Sequence, residues 1–169
     1  MFKYLLLLSG LMISTAAYAA EQPKMIGEYS DWSAWTYNDH GNTICYIIST
    51  PKKDEGKYTK RGDIYAIVTH RPAEKSFDEV AFVAGYTFKP KADFTVKIGN
   101  QTFNHTFTEG DKGWMVSSDE DARIVAAMKR GDRMIVDGLS SRGTATKDTY
   151  SLKGFTTAYQ AISAKCKKK

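Results

Sequence analysis

Short hydrophobic segments bounded by turn-forming residues constrain the fold of this chain more than any other feature of its sequence. Four of them, residues 31–37, 44–49, 63–70 and 80–86, are rich in the β-branched and aromatic residues that favour strands. In three of the four both alternating faces are apolar, which predicts central strands or strands covered by a helix. A length of 169 residues corresponds to one domain. The pattern therefore predicts a mainly β protein, a β-sandwich of short strands.

A further hairpin is predicted over residues 94–107. Gly99-Asn100 fits a two-residue turn, because glycine adopts a positive φ without steric cost. This turn places Val96 opposite Phe103, and it places Phe103 and Phe107 on one apolar face. The other predicted elements are strands at residues 114–116 and 144–152 and around residues 134–136, and a long polar loop at residues 51–62.

Two short helices are predicted at the periphery of the sandwich. The first begins at Ser118, with Asp121 as a weak capping-box partner, and has Gly131 as its C′ residue. Its apolar stripe is formed by Ile124, Ala127 and Met128. The second helix follows Gly154, and its apolar positions recur at helical spacing at Phe155, Tyr159, Ile162 and Cys166.

The N-terminus has the pattern of a secretory signal peptide, predicted over residues 1–19. Lys3 supplies the positive region, residues 5–13 form the apolar core, and Ala17-Tyr18-Ala19 is a small-x-small cleavage site. An uncleaved membrane anchor is the alternative, but the apolar core is too short to span about 30 Å of hydrocarbon. The sequence therefore predicts a mature domain of residues 20–169.

The two cysteines of the chain, Cys45 and Cys166, are predicted to form a disulfide bond. Export would place them in an oxidising compartment, where each is the other's only candidate partner within the chain. Cys45 lies in an apolar strand and Cys166 ends the apolar stripe of the last helix, so both are expected to face the core. Two separate buried thiols are the alternative.

The charge pattern excludes some partners. The formal net charge is +5, but the positive residues alternate with acidic ones, so no nucleic-acid partner is predicted. No later apolar run is long enough for a transmembrane helix. Arg-Gly-Asp occurs at residues 61–63 and 130–132, and both copies are interpreted as turns of the fold rather than as adhesive ligands.

Motifs for catalysis, metals and cofactors are not found in the sequence. The histidines lack metal-ligand spacing, and no Cys-x-x-Cys occurs. Neither a Gly-x-Ser-x-Gly elbow nor a phosphate-binding glycine loop is present. We therefore expect no metal and no cofactor, and we predict no catalytic residues.

Motifs in the same order across nearly the whole mature chain resemble the invasion-associated locus B family. The motifs are Asp31-Trp32-Ser33-Ala34, Cys45-Tyr46-Ile47, Ser49-Thr50-Pro51-Lys52-Lys53, Arg61-Gly62-Asp63-Ile64-Tyr65, Val68-Thr69-His70-Arg71-Pro72, Ala84-Gly85-Tyr86, Ser140-Ser141-Arg142-Gly143-Thr144, Tyr150-Ser151-Leu152 and Gly154-Phe155. The resemblance implies an immunoglobulin-like β-sandwich exported by alphaproteobacteria. Some members of the family carry an extra cysteine near the first tryptophan segment, which this chain lacks.

Three classes of function follow from the resemblance and the residues. The first is an exported, non-enzymatic protein, periplasmic, secreted or associated with the outer membrane, that binds a protein or envelope component at the cell envelope or host surface. The second is a structural or chaperone-like module whose sheet edge accepts a partner strand. The third is a hydrolase with an unrecognised site around His70, Arg71, Ser140, Ser141 and Arg142. The candidate surface or binding residues are His70, Arg71, Ser140, Ser141 and Arg142.

Overall fold

Two antiparallel sheets form the protein, which is a β-sandwich with two peripheral helices. The computed structural model describes residues 21–168, so the predicted signal peptide lies outside the described residues. The seven-stranded sheet has the order β1 (Lys24–Tyr29), β2 (Trp32–Asp39), β3 (Asn42–Ser49), β5 (Tyr65–Arg71), β6 (Ser76–Val83), β10 (Lys112–Met115) and β9 (Thr106–Glu109). The five-stranded sheet has the order β4 (Lys53–Gly56), β12 (Ala145–Ser151), β11 (Arg133–Leu139), β7 (Thr95–Ile98) and β8 (Gln101–Phe103).

The hydrophobic core lies between the inner faces of the two sheets. Val68 and Phe82 of the large sheet are buried, as are Val96 and Met134 of the small one. Phe94 packs edge-on against Phe82, with ring centroids 5.4 Å apart. Along β7, β10 and β12, buried residues alternate with more exposed ones, which is the two-residue period of a strand with one face in the core.

Helix α2 (Phe155–Lys165) closes one end of the core, and its predicted apolar stripe is buried. Phe155 packs edge-on against Trp32 with ring centroids 5.0 Å apart. A disulfide bond joins Cys45 of β3 to Cys166, which is the pairing that the sequence predicts. Gly154 precedes the helix at φ 89°, and a Cβ there would lie 1.7 Å from the carbonyl oxygen of Tyr29.

Helix α1 (Ser118–Met128) begins at the predicted residue and has the predicted buried stripe, but the capping at both of its ends differs from the prediction. The N-cap is Ser117, whose hydroxyl accepts a hydrogen bond from the Glu120 N–H. Asp121 instead accepts one from the Val80 N–H at 3.0 Å, which ties the helix to β6. Gly131 does not have a positive φ. A Cβ there would lie 2.6 Å from Ile98, so close packing requires this glycine.

The predicted hairpin is correct in its register and too long in its extent. Val96 pairs with Phe103 across a turn in which Gly99 has φ 58°. The chain then crosses to the other sheet, where β9 pairs with β10. Phe103 is buried whereas Phe107 is 48% exposed, so the prediction that they share one face is wrong.

Two edge strands are absent from the sequence prediction. β1 pairs with β2, and β4 pairs with β12 inside the segment that was predicted to be a polar loop. The sequence of β4 is Lys-Asp-Glu-Gly, and none of its residues is buried. An edge strand without a buried face has no hydrophobic period to reveal it.

Candidate functional site

An aromatic surface covers part of the outer face of the seven-stranded sheet. It consists of Trp35, Tyr37, Tyr46, Tyr65, Phe107 and Trp114, and we call it the aromatic face. None of the six is buried, whereas their strand neighbours Ala34, Ile47 and Ala66 on the inner face are. The alternation of the strands therefore directs one apolar set into the core and a second one outward.

Cross-strand pairing joins the aromatic face into rows. Trp35 lies directly opposite Tyr46, and the Tyr37 and Tyr46 rings approach edge-on at 6.1 Å. At the other side of the sheet Phe107 and Trp114 stack with ring centroids 5.3 Å apart. Such pairs hold the rings in fixed positions on the sheet surface.

A cavity of about 410 Å³ lies at one end of the sandwich. Three chain segments line it: residues 57–61 after β4, residues 85–87 after β6, and residues 140–146, which form the turn between β11 and β12 and the start of β12. The lining residues are Lys57, Tyr58, Thr59, Lys60, Arg61, Gly85, Tyr86, Thr87, Ser140, Ser141, Arg142, Thr144 and Thr146. We call it the basic cavity, because its charged lining residues are all lysine or arginine.

A buried ion pair fixes the first of these segments. Arg61 donates two hydrogen bonds of 2.6 Å to the two carboxylate oxygens of Asp148, and its Nε donates to the Ala84 carbonyl at 2.7 Å. Only 4% of the Arg61 side chain and 5% of the Asp148 side chain are exposed. Burial alone would lower the pKa of Arg61, but its hydrogen bonds to Asp148 raise it above its usual value.

Aromatic rings flank the guanidinium and complete this arrangement. The Tyr58 ring lies 5.5 Å and the Tyr86 ring 5.0 Å from the Arg61 guanidinium carbon, within the range of cation–π contacts. The Tyr86 hydroxyl lies 2.6 Å from that of Thr146. Because Arg61 is enclosed in this way, the first Arg-Gly-Asp copy is not displayed as a ligand.

The structure divides the predicted site residues into two groups. Ser140, Ser141 and Arg142 line the basic cavity, whereas His70 and Arg71 do not. Ser140 is buried, and its hydroxyl accepts a hydrogen bond from the Thr144 N–H at 3.0 Å. Ser141 and Arg142 are exposed at the tip of the turn. His70 is fully buried, so it offers no surface for binding.

His70 has a serine and an acid nearby, but the proton is on the wrong nitrogen for a catalytic triad. Its Nδ1 accepts a hydrogen bond from the Asp78 N–H at 3.2 Å, so in the neutral ring the proton is on Nε2. That nitrogen lies 3.2 Å from the Ser163 hydroxyl, to which it donates. Burial lowers the pKa of His70, which favours the neutral ring. A triad needs a ring nitrogen that accepts the serine proton.

The Asp78 carboxylate is engaged elsewhere in the same cluster. It accepts a hydrogen bond from the Tyr159 hydroxyl at 2.7 Å and pairs with Lys168. Its nearest approach to His70 Nδ1 is 4.0 Å, too far for a hydrogen bond. The cluster therefore ties α2 to β6 and does not orient His70 as a base.

The sequence analysis missed Arg61, Asp148, Lys57, Lys60 and Tyr86 as parts of a site. Residues 61–63 form an Arg-Gly-Asp motif and part of one family-resemblance motif, neither of which indicates a cavity, and Asp148 lies between polar residues of β12. Asp148 shares the buried face of β12 with Thr146 and Tyr150, but no apolar alternation in the sequence marks that face as buried.

Neither a cluster of metal-ligating side chains nor a helix fit to span a membrane is found within residues 21–168. No group of three or more His, Cys, Asp or Glu residues in this part of the chain is placed to hold a metal ion. Nor does either helix of the described chain have the length and apolarity needed to cross a membrane.

Comparison with known proteins identifies relatives at the level of family and fold. The family model described as "Invasion associated locus B (IalB) protein" matches residues 32–163. A crystal structure of invasion associated protein B from Bartonella henselae is similar, with a TM-score of 0.57 and 14% sequence identity. The match covers 83% of this chain and 96% of that one. No curated protein sequence matches the chain.

Proposed function

The chain belongs to the invasion associated locus B family, and on that basis we propose that it is an exported, non-enzymatic cell-envelope protein that binds another macromolecule. The signal-peptide pattern over residues 1–19 supports export, with residues 20–169 as the mature domain. The Cys45–Cys166 disulfide agrees with an oxidising compartment such as the periplasm or the medium. A bacterial envelope or a host surface is where such a protein would meet its partner.

The aromatic face is the observation that carries this proposal. Tyrosine and tryptophan are enriched in protein interfaces, because each buries a large area with few rotatable bonds. Phe107 is 48% exposed, so among the six residues of the aromatic face it would contribute the most hydrophobic free energy when a partner covers it. The partner is therefore proposed to be a protein that lies flat on this sheet.

A non-enzymatic function is supported by the environment of His70. The hydrolase hypothesis would bring His70 and Arg142 together in one pocket. His70 donates a hydrogen bond to the Ser163 hydroxyl instead of accepting its proton. Arg142 lines the basic cavity, which His70 does not line. The separation of His70 from the cavity that Ser140, Ser141 and Arg142 line supports the proposal of a non-enzymatic protein.

Strand addition is the second candidate function, and the sheet edges argue against it. The small sheet ends in β4 and β8, of four and three residues. The large sheet ends in β9, of four residues, and in β1, whose pairing is interrupted by a bulge between Met25 and Gly27. Short or bulged edges are how proteins avoid accepting a further strand.

In-cell photo-crosslinking tests the proposal. A photo-reactive amino acid replaces Phe107 on the aromatic face, and in a matched variant it replaces Thr102, which is exposed on the other sheet. We expect a discrete protein adduct from position 107 only, and we expect Trp114→Ser to abolish it because that change removes the stacked neighbour. Equal adducts at both positions, or none at position 107, would contradict the proposed binding face.

A further inference from the structure

The charged residues that line the basic cavity are all positive. Lys57, Lys60 and Arg142 line it, and no acidic residue does. Within residues 21–168, no carboxylate lies within 4.0 Å of any of these three cationic groups, although many other lysines and arginines of the chain are paired. Like charges that converge on a concave surface raise the local concentration of anions.

Arg61 does not belong to this set of unpaired charges. Both of its terminal nitrogens are engaged by the carboxylate of Asp148, so the pair contributes little net charge at the base of the cavity. The positive potential therefore comes from the exposed residues at the rim, where a ligand can reach them.

Unused hydroxyl groups accompany the positive charges. The side chains of Thr59, Thr87, Ser141 and Thr144 line the cavity, and their hydroxyls make no hydrogen bond with any described residue. Each can donate one hydrogen bond and accept others. The lining therefore suits a ligand that carries several hydroxyl groups in addition to a negative charge.

The segments that present these groups are held in place. The Gly62 N–H donates to the Gly85 carbonyl at 2.9 Å, and a Cβ on Gly85 would lie 2.5 Å from the Gly62 oxygen. In the turn between β11 and β12, two hydrogen bonds join Ser140 to Thr144. The Ser140 N–H donates to the Thr144 carbonyl at 2.9 Å, and the Ser140 hydroxyl accepts from the Thr144 N–H. A site fixed before binding loses less entropy when the ligand enters.

We propose that the basic cavity binds an anionic sugar, a monosaccharide unit that carries a phosphate or a carboxylate. Its volume of about 410 Å³ falls within the usual range for small-ligand sites. The planar fork of Arg142 matches the two oxygens of either anion, with Lys57 and Lys60 as further charges. The free hydroxyls bind the hydroxyls of the sugar ring. This inference is independent of the aromatic face.

Titration of the isotopically labelled exported protein, followed by amide NMR at low salt, tests the inference. The probes are glucose 6-phosphate, glucuronate, glucose and inorganic phosphate. We expect saturable shifts from one or both anionic sugars, confined to residues 57–61, 85–87 and 140–144. Glucose and inorganic phosphate are expected to bind at least tenfold more weakly, because each lacks one half of the recognised chemistry.

A pair of variants shows whether the cavity itself is responsible. Arg142→Gln removes one charge from the cavity, and Arg133→Gln removes one from another exposed position, at the other end of β11. Because a charge-assisted hydrogen bond is lost, Arg142→Gln should weaken binding roughly tenfold or more, and Arg133→Gln should not change it. Both residues are exposed, so neither change should unfold the protein.

Several outcomes would overturn the inference. Equal loss of affinity in the two variants would indicate non-specific attraction to a basic protein. Glucose that binds as tightly as the anionic sugars would indicate a neutral saccharide site, and inorganic phosphate that binds as tightly would indicate a simple anion site. Absence of shifts with both anionic sugars at millimolar concentration would remove the site altogether.

Discussion

The buried ion pair between Arg61 and Asp148 should dominate the response of this protein to single substitutions. Asp148→Asn keeps the size of the side chain but removes its charge, and it turns an amide N–H₂ toward an arginine that donates there. Since both side chains are at most 5% exposed, the remaining guanidinium charge stays buried without a counter-charge. Breaking such a pair from one side costs about 3–5 kcal/mol.

A matched control lies on the neighbouring strand. Asp137 of β11 accepts one hydrogen bond of 2.7 Å from Lys97, and 28% of its side chain and 49% of that of Lys97 are exposed. Asp137→Asn makes the same chemical change in an exposed pair, which is worth about 0.2–1 kcal/mol. The difference between the two variants isolates the effect of burial.

Urea unfolding followed by tryptophan fluorescence measures both costs, because Trp32 is 1% exposed and reports on the core. Against a typical stability of about 5–15 kcal/mol, loss of 3–5 kcal/mol lowers the unfolding midpoint strongly. The double variant Arg61→Met, Asp148→Leu should lose less than Asp148→Asn, because no charge remains buried. A cost for Asp148→Asn no larger than that for Asp137→Asn, or a double variant as unstable as Asp148→Asn, would refute the reasoning.

Three further predictions concern stability. Cys166→Ser opens a disulfide between residues that are 121 positions apart in sequence, and loop entropy predicts that the free energy of unfolding falls by about 5 kcal/mol. The melting temperature should fall accordingly, and reductant should lower it in the same way in the parent protein. Burial raises the pKa of Asp121 to about 6, so its ionisation destabilises the fold as pH rises above 4. Asp121→Asn should therefore gain about 1–2 kcal/mol at pH 7.5 and none at pH 4, as measured by urea unfolding at the two pH values, and an equal gain at both would contradict this reasoning. Gly154→Ala should lower the free energy of unfolding by at least about 3 kcal/mol, because the positive φ of residue 154 and the nearby Tyr29 carbonyl both oppose a side chain. Gly143→Ala, at φ 82° with open space around it, should lower it by about 1 kcal/mol. Equal melting temperatures for the two variants would contradict this reasoning.

Elements with a buried face were predictable from the sequence because the physics that forms them is local. β3 and β5 have continuous apolar residues, and α2 has an apolar stripe at helical spacing. Each pattern predicts which side chains are buried, and the structure buries those side chains. The Cys45–Cys166 pairing was predictable for a different reason, since two thiols allow only one intramolecular bond.

The wrong predictions for Phe107 and Asp121 share one physical cause, which is that contacts distant in sequence override the local pattern. Phe107 has the spacing of a hairpin residue, but the Thr106 hydroxyl bonds to both the N–H and the carbonyl of Phe94, where the chain passes to the other sheet. Asp121 has the spacing of a capping acid, but its carboxylate accepts a hydrogen bond from the Val80 N–H of β6. Both residues have ordinary local patterns that tertiary contacts override.

The basic cavity was beyond sequence reasoning because three loops from both sheets form it, and Arg61 is the residue that joins them. Its guanidinium bonds to Asp148 of the small sheet, and its Nε bonds to Ala84, which directly follows β6 of the large sheet. The same side chain therefore connects the two layers and fixes the base of the cavity. Stability and cavity shape are coupled through Arg61, so Asp148→Asn should weaken both the fold and the binding of an anionic sugar. Arg142→Gln changes only the rim and separates the two effects.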